Sequence, residues 1–388
     1  MNTSSQSTLS RRRFLSLVGG GAIVAAGSGI GLFAITRTPH AALAPWSQAS
    51  SYDEPRRFAL SHAILAPNPH NLQPWMVDLS EANTVTLLPD PTRRLPETDP
   101  YDRQLTIGLG CFLEQMTIAA SARGYRVDTT LFPQGNNDSV LGALPVARCA
   151  FIPDNQTAVD PLFSQIPHRR SNKAPFDMER PVADATLATL NPTISGIRFD
   201  GSVDPTRVAM LRALIWDAWL VEYQTPAAMQ ESIELMRLGK AEINANPDGI
   251  DLGGMPLEAL IAAGLVTREA LATPGTQSYE TGITMYQPML AATPTFVWLT
   301  SPDNSRTAQI ASGRAWLRLN LLTTAGGMAL HPVSQCLQEY PEMAEHYQAA
   351  HQAMAQPGET IQMLGRLGYA APAPQTPRWS LDDKITRT

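Results

Sequence analysis

Two apolar stretches of matching design constrain this chain more than any other feature. Gly110–Gly124 and Gly313–Gly327 each place two glycines fourteen residues apart around a run that is apolar at helical spacing. Each run borders a segment of strand character. A chain that repeats such a unit can fold as two related halves, and 388 residues leave room for both. The hydrophobic share of 44% is enough to fill a large core, which excludes wholesale disorder. Cys111, Cys149 and Cys336 stand far apart with no CxxC pair, so neither a disulfide framework nor a cysteine zinc site organises the fold. Each reads as a small buried apolar residue.

Around these two runs the pattern is mixed helix and strand. In the first half, 52–65 reads as a helix ended by Pro67 and Pro69. Two short strands, 75–79 and 84–88, flank a Glu81-Ala82-Asn83 turn. The apolar run itself predicts a helix over 107–123, followed by strands over 125–132 and 147–152. A second half starts near Pro161. It carries helices over 184–190, with Asp184 as its N-cap, and 205–221. A buried strand over 294–300 and a helix over 309–325, closed by Gly326-Gly327, complete it. Between them, 226–288 is an irregular insertion rich in Met and Gly. It is either a cap over a site or a surface excursion.

Residues 1–49 are of another kind. They hold Arg11, Arg12, Arg13 and Arg37 and no Asp or Glu, which leaves the remainder near a charge of −10 against −6 for the whole chain. No basic excess exists to hold a nucleic-acid backbone. Ser10-Arg11-Arg12-Arg13-Phe14-Leu15 precedes a Gly- and Ala-rich apolar stretch to Thr36. Small-residue cleavage patterns follow at Ala42-Leu43-Ala44 and Ser47-Gln48-Ala49. Basic, apolar, small is the order of an export signal, and the Ser-Arg-Arg-x-Phe-Leu core resembles the twin-arginine type. An uncleaved membrane anchor is the alternative, since the run just reaches spanning length. Either way the body is expected in the periplasm or on the outer face of the cytoplasmic membrane, with the twin-arginine export machinery as a partner. That route carries folded proteins and is often used for those holding a cofactor.

Three constellations carry chemistry. The first is Pro67-Asn68-Pro69-His70-Asn71-Leu72-Gln73-Pro74-Trp75, a proline-stiffened loop with three side-chain amides. Amides on a rigid loop can read the edge of a planar heterocycle, or the loop is an ordinary Asx-turn before a strand. The second is His168-Arg169-Arg170-Ser171-Asn172-Lys173. Two arginine forks, a serine and a lysine suit one terminal phosphate, or they form a solvated basic turn. The third is the proline-rich tail around Arg378, after Leu364-Gly365-Arg366-Leu367-Gly368. Metal hydrolysis is poorly served: His62 and His70 lie eight apart across Pro67, with no HExxH and no carboxylate cluster, so no metal is expected. No Gly-x-Ser-x-Gly elbow is present either.

Together these motifs resemble the nitroreductase-like FMN-binding superfamily over about residues 52–380, in the branch where two nitroreductase-type halves are fused. The family loop runs Pro-Ser-Ser-x-Asn-x-Gln-Pro-Trp; here both serines are replaced. The family's Arg-Arg-Ser clamp matches Arg169-Arg170-Ser171, with Lys173 two further on, and Arg378 matches its C-terminal basic residue. The resemblance implies an α+β fold of two halves, about 50–160 and 161–388. Each would have a mainly antiparallel sheet flanked by helices, and together they would form an intramolecular pseudo-dimer. It implies FMN held by Arg169, Arg170, Ser171, Lys173, Pro67, Asn68, His70, Asn71, Gln73 and Arg378. His331 would neighbour the ring. Family flavin sites lie between two subunits, with the clamp from one and the loop from the other. Here a good loop exists only in the first half and a good clamp only in the second, since Pro55-Arg56-Arg57-Phe58 lacks the serine. One flavin per chain is therefore expected, in a monomeric pseudo-dimer or a homo-oligomer. The expected activity is electron transfer through FMN to a small-molecule acceptor such as a nitro compound or quinone. A flavin-holding or sequestering protein with little turnover is the alternative, because NAD(P)H is scarce outside the cytoplasm and the insertion could cover the ring.

Overall fold

The computed structural model describes residues 38–136 and 139–386. The twin-arginine core and the apolar stretch that follows it lie outside the described residues. The end of the expected signal does not. It forms helix α1 (His40–Gln48), which buries Ala42 and Trp46 against the body. Helix α2 (Pro55–Ala63) follows; Glu54 caps it by accepting from the Arg57 amide, and Pro55 sits where a missing N–H costs nothing.

The first sheet contains β1 (Trp75–Asp78), β2 (Thr84–Pro89), β3 (Tyr125–Leu131) and β4 (Ala147–Pro153) in the order β1-β2-β4-β3. Helix α3 (Arg103–Ser121) connects β2 to β3. The second half begins with α4 (Asp184–Thr189), β5 (Arg198–Ser202) and α5 (Pro205–Gln224). The insertion then contributes α6 (Pro226–Glu234), β6 (Met236–Leu238), α7 (Gly239–Ala245), β7 (Ile250–Leu252), α8 (Met255–Ala262), α9 (Arg268–Ala272) and α10 (Gln277–Thr284). Helix α11 (Tyr286–Ala291), β8 (Thr295–Ser301), α12 (Arg306–Ala325), β9 (Ala329–Pro332), α13 (Ala344–Met354) and β10 (Thr360–Gly368) complete the chain. The second sheet runs β5-β8-β10-β9.

The two orders are the same order. Strand for strand, β1, β2, β4 and β3 correspond to β5, β8, β10 and β9, every pairing in both sheets is antiparallel, and α3 and α12 fill the same connection. The fold is thus α+β, two fused halves each with an antiparallel sheet flanked by helices. The glycine-bounded runs explain how the halves join. Helices α3 and α12 cross where Gly110 faces Gly313; a Cβ at Gly313 would stand 2.8 Å from the Gly110 Cα, with the Ile107 carbonyl closer still. Backbones this close exclude any side chain. Phe112, Leu113, Ile310 and Leu317 then share one buried core across the junction. Arg318 seals its edge, donating to Glu114 at 2.8 Å and Asp160 at 2.9 Å.

Two expectations need correction. Asp184 lies in the first turn of α4, one residue past the N-cap Ala183, and makes no capping bond; its charge still faces the favourable end of the helix dipole. Helix α3 begins at Arg103, one turn earlier than the apolar pattern suggests. The Asp99 carboxylate receives the Gln104 and Leu105 amides, both at 3.0 Å, and so satisfies the otherwise unpaired donors of the first turn.

One ion pair ties the second sheet together at its edge. Arg198 on β5 donates twice to Glu359 beside β10, at 2.9 and 2.5 Å. These bonds hold the Glu359 carboxyl at about 2, against burial, where the ordinary value is 4.5. A depressed acid contributes stability above its unfolded pKa and loses it as pH falls through the folded one. Glu359→Gln is therefore expected to lower stability by about 1–2 kcal/mol at pH 7. The difference should vanish near pH 2, as read from urea melts at the two pH values.

Candidate functional site

The Pro67–Trp75 loop leaves α2 in a conformation that only a dense set of bonds can hold. His70, Asn71 and Gln73 all have positive φ, at 46°, 55° and 54°. Each such turn costs a non-glycine residue about 1 kcal/mol or more. Asn68 accepts the Gln73 amide at 2.7 Å and donates to the Ala66 carbonyl at 3.1 Å. Asn71 donates to the Pro377 carbonyl at 3.0 Å and accepts from Arg378 Nη1 at 2.5 Å. Gln73, fully buried, donates to the Pro247 carbonyl at 2.8 Å and accepts the Trp379 amide at 2.9 Å. All three amides are engaged within the protein. Through these bonds the loop grips the tail and the insertion, and Asn71 holds Arg378.

The clamp segment runs alongside β9. Ser171, half-buried, pairs with Leu330 as an isolated bridge, and the Asn172 amide donates to the Leu330 carbonyl at 3.1 Å. Arg366, in the interior of β10, fixes the segment from below. It donates to the carbonyls of Asn172 at 3.0 Å and Ala174 at 2.7 Å, and from Nε to His331 Nδ1 at 3.1 Å. His331 is therefore a buried, bonded residue; burial first, then Arg366 and Lys173, push its pKa well down and keep the ring neutral. His70 is likewise held down to about 4 by burial and then by Lys173. Lys173 itself is exposed.

Three guanidinium groups converge where the loop, clamp and tail join. Arg169 is buried and donates to the Leu65 carbonyl at 3.1 Å. Arg378, equally buried, donates to the carbonyls of Leu65 and Ala66 at 3.2 and 3.3 Å. Arg170 reaches only the Pro167 and Arg169 carbonyls. Burial, followed by their mutual repulsion, lowers Arg169 to about 10 and Arg378 to about 9, and burial alone lowers Arg170. No carboxylate pairs with any of the three among the described residues, and the buried Nε of each lacks a partner. Holding three like charges together, two of them buried, with unused Nε donors is costly unless an anion completes the site. A phosphate monoester, with three acceptor oxygens and about two charges, has the matching chemistry. The donor set therefore fits the phosphate of FMN.

The first half's equivalent does not. Arg56 donates to Glu54 and to the carbonyls of Leu79, Glu81 and Thr84, and Arg57 pairs with Asp382. Those charges are already satisfied, so the asymmetry expected from the two motifs appears in the bonding.

The insertion docks on this site. Asp248, just before β7, receives Arg93 at 2.5 Å, Arg237 at 2.6 Å and Trp379 Nε1 at 2.7 Å. Against burial, which would raise it, these bonds hold its carboxyl below the ordinary value. The Gly249 amide donates to the Asn71 carbonyl at 3.3 Å. Desolvation pushes the neighbouring Asp251 up, opposed by Lys173 and Arg378, while its side chain keeps exposed surface. A separate cavity of about 570 Å³, lined by Tyr101, Thr225, Gln338, Tyr340 and Tyr347 among others, includes no residue of the loop or clamp. Among the described residues no three His, Cys, Asp or Glu side chains are placed to hold a metal, and no helix is long and apolar enough to cross a membrane.

Sequence reasoning gave no role to Arg366 inside the third constellation and missed Asp248 and Lys384, whose Nζ donates to the Gln73 carbonyl at 2.9 Å. Arg366 and Lys384 act on partners 194 and 311 residues away, a separation no local motif reveals.

No family model matches this chain. It is similar to a Mycobacterium tuberculosis protein called "Putative NAD(P)H nitroreductase", with 24% identity over 339 residues, which cover 85% of this chain and 90% of the relative. A second mycobacterial relative, "Uncharacterized protein", is 36% identical over 127 residues, 30% of this chain and 36% of its own. Among solved structures, the FMN-dependent nitroreductase NfnB from Mycobacterium smegmatis in complex with NADPH aligns at a TM-score of 0.34 and 17% identity. It spans 57% of this chain and 94% of that one. The FMN and NADPH-dependent nitroreductase NfnB from sphigopyxis sp. strain HMH aligns at 0.34 and 15%, spanning 59% and 99%.

Proposed function

We propose that this protein is an FMN-dependent oxidoreductase of the nitroreductase type, passing electrons to a small nitro compound, quinone or similar acceptor. The observation that carries the reading is the trio of buried Arg169 and Arg378 and half-buried Arg170, with its buried, unpartnered Nε donors. The full-length similarity to a protein named as an NAD(P)H nitroreductase supports the same class and NAD(P)H as donor. Bound FMN would supply the hydride and electron chemistry, for which no side-chain nucleophile is needed. The chain's own residues bind and shield. The arginines and the Ser171 hydroxyl hold the phosphate, Lys173, His70 and His331 sit beyond it, and the segment from Pro247 to Asp251 excludes water. We further propose that residues 1–37 direct export by the twin-arginine route, with the body working outside the cytoplasm. One site per chain follows from the satisfied arginines of the first half.

The test is the visible absorbance of the purified protein, repeated after anaerobic addition of NADPH. About one FMN per chain and bleaching by NADPH are expected. A protein that takes up no FMN would overturn the reading.

The docked insertion favours a second reading, a flavin-holding protein with slow turnover. The two separate at Asp248. If the insertion is a closed lid, Asp248→Ala should release flavin at least tenfold faster and speed its reduction by NADPH, as followed by stopped-flow absorbance. An open enzyme should show little change in either rate, since its ring is already accessible.

A further inference from the structure

Helix α1 touches the anion clamp at two of its three arginines. The Trp46 ring lies 4.5 Å from the Arg170 guanidinium and 5.6 Å from that of Arg378, within the range of a cation–π contact. The ring is itself held, because Nε1 donates to the Thr376 carbonyl at 2.8 Å. The backbone of α1 is fastened on both sides. The Arg378 amide donates to the Ala42 carbonyl at 2.8 Å, and the Ala42 amide donates to Asn244 Oδ1 on the insertion at 3.2 Å. Trp46 is 6% exposed. No other aromatic ring lies over Arg170 or Arg378 among the described residues.

This arrangement answers an electrostatic problem. Three like-charged groups with unused donors should splay apart when no anion is present. A ring face is negative and offers attraction without accepting the N–H donors an anion needs. Trp46 can thus hold Arg170 and Arg378 in place while leaving their donors available. A carboxylate would neutralise them and compete with the ligand.

We infer that Trp46 is a positioning residue of the phosphate clamp and that α1 forms its outer wall, so the functional domain includes residues 40–48. The inference rests on the FMN reading for its physiological ligand, but not for the clamp itself. Export processing after Ala44 would remove the Ala42 carbonyl from Arg378, and processing after Ala49 would remove the whole wall. The folded domain needs both to stay.

The experiment compares full chains carrying Trp46, Trp46→Ala and Trp46→Phe. FMN, riboflavin and inorganic phosphate are titrated by calorimetry, with thermal melts of each chain. Trp46→Ala should weaken FMN and phosphate by about tenfold or more, leave riboflavin, which has no phosphate, unchanged, and be largely rescued by Trp46→Phe. Equal FMN affinity in all three chains would overturn the inference and leave the flavin reading intact. So would a parallel loss of FMN and riboflavin with a lowered melting temperature, which marks a merely structural tryptophan. If the unaltered chain binds phosphate but not FMN, the flavin reading fails, and a phosphate loss confined to Trp46→Ala still supports the positioning role. If it binds neither, both fall.

Discussion

An Arg378→Ala chain is expected to bind FMN about a hundredfold more weakly than the unaltered protein, while its affinity for riboflavin stays within a few-fold. Arg378 brings a buried positive charge to the clamp, and its Nε is among the donors left without a partner. A hydrogen bond to a charged group is worth about 1.5–3 kcal/mol, so the Nε bond together with the lost charge accounts for about a hundredfold. Free protein pays less for the loss than a paired arginine would cost, because removing one charge relieves the repulsion from Arg169 and Arg170. The bonds to Asn71, Leu65 and Ala66 would also go, so the loop should loosen. Arg378→Lys keeps the charge without the fork and should fall between the two. Fluorescence titration of both flavins decides the matter, and FMN affinity within threefold of normal in Arg378→Ala would refute the assignment of this residue to the phosphate.

The largest stability loss is expected at the helix crossing. Gly313→Ala would set a methyl group against the Ile107 carbonyl and the Gly110 Cα, both backbone, where nothing can swing aside. Helices α3 and α12 would have to separate along much of their contact, at a cost of about 3–5 kcal/mol or failure to fold. Gly327→Ala is the useful contrast. Nothing lies within 4 Å of its added carbon, and only its positive φ of 66° opposes the change, which should cost about 1 kcal/mol. Urea denaturation of the two chains measures the difference. Similar midpoints would show that the crossing is compliant and does not depend on bare glycine.

The parts of this fold that could be read from residues alone are those with local causes. The loop prolines mark where α2 stops. The apolar period marks α3 and α12, and alternation marks β3. Strand β10 shows less plainly in the sequence because it is a central strand, buried on both faces, and carries Gln362, Gly365, Arg366 and Gly368 where an apolar run would be expected. Those residues serve partners elsewhere: Arg366 fixes the clamp, and Gly365 makes room for Trp316. The clamp arginines were legible because they are adjacent in sequence. Their environment was not, since the wall, lid and tail that surround them come from residues 40–48, 246–251 and 376–384. The distant partners of the loop amides were hidden for a related reason, since Pro247, Pro377 and Trp379 lie more than 170 residues from the loop.

The match between the two sheets, set against the mismatch between the two arginine pairs, bears on how such a chain can change. In a dimer of identical subunits, any substitution appears in both sites at once, so neither can be given up alone. Joining the subunits into one polypeptide removes that coupling. In this chain Arg56 bonds to Glu54 and to three carbonyls, and Arg57 pairs at the surface with Asp382. The matching pair in the second half keeps its Nε donors unpaired. A single polypeptide with two such halves can commit one pair to the fold while the other stays open, a division of labour closed to identical subunits.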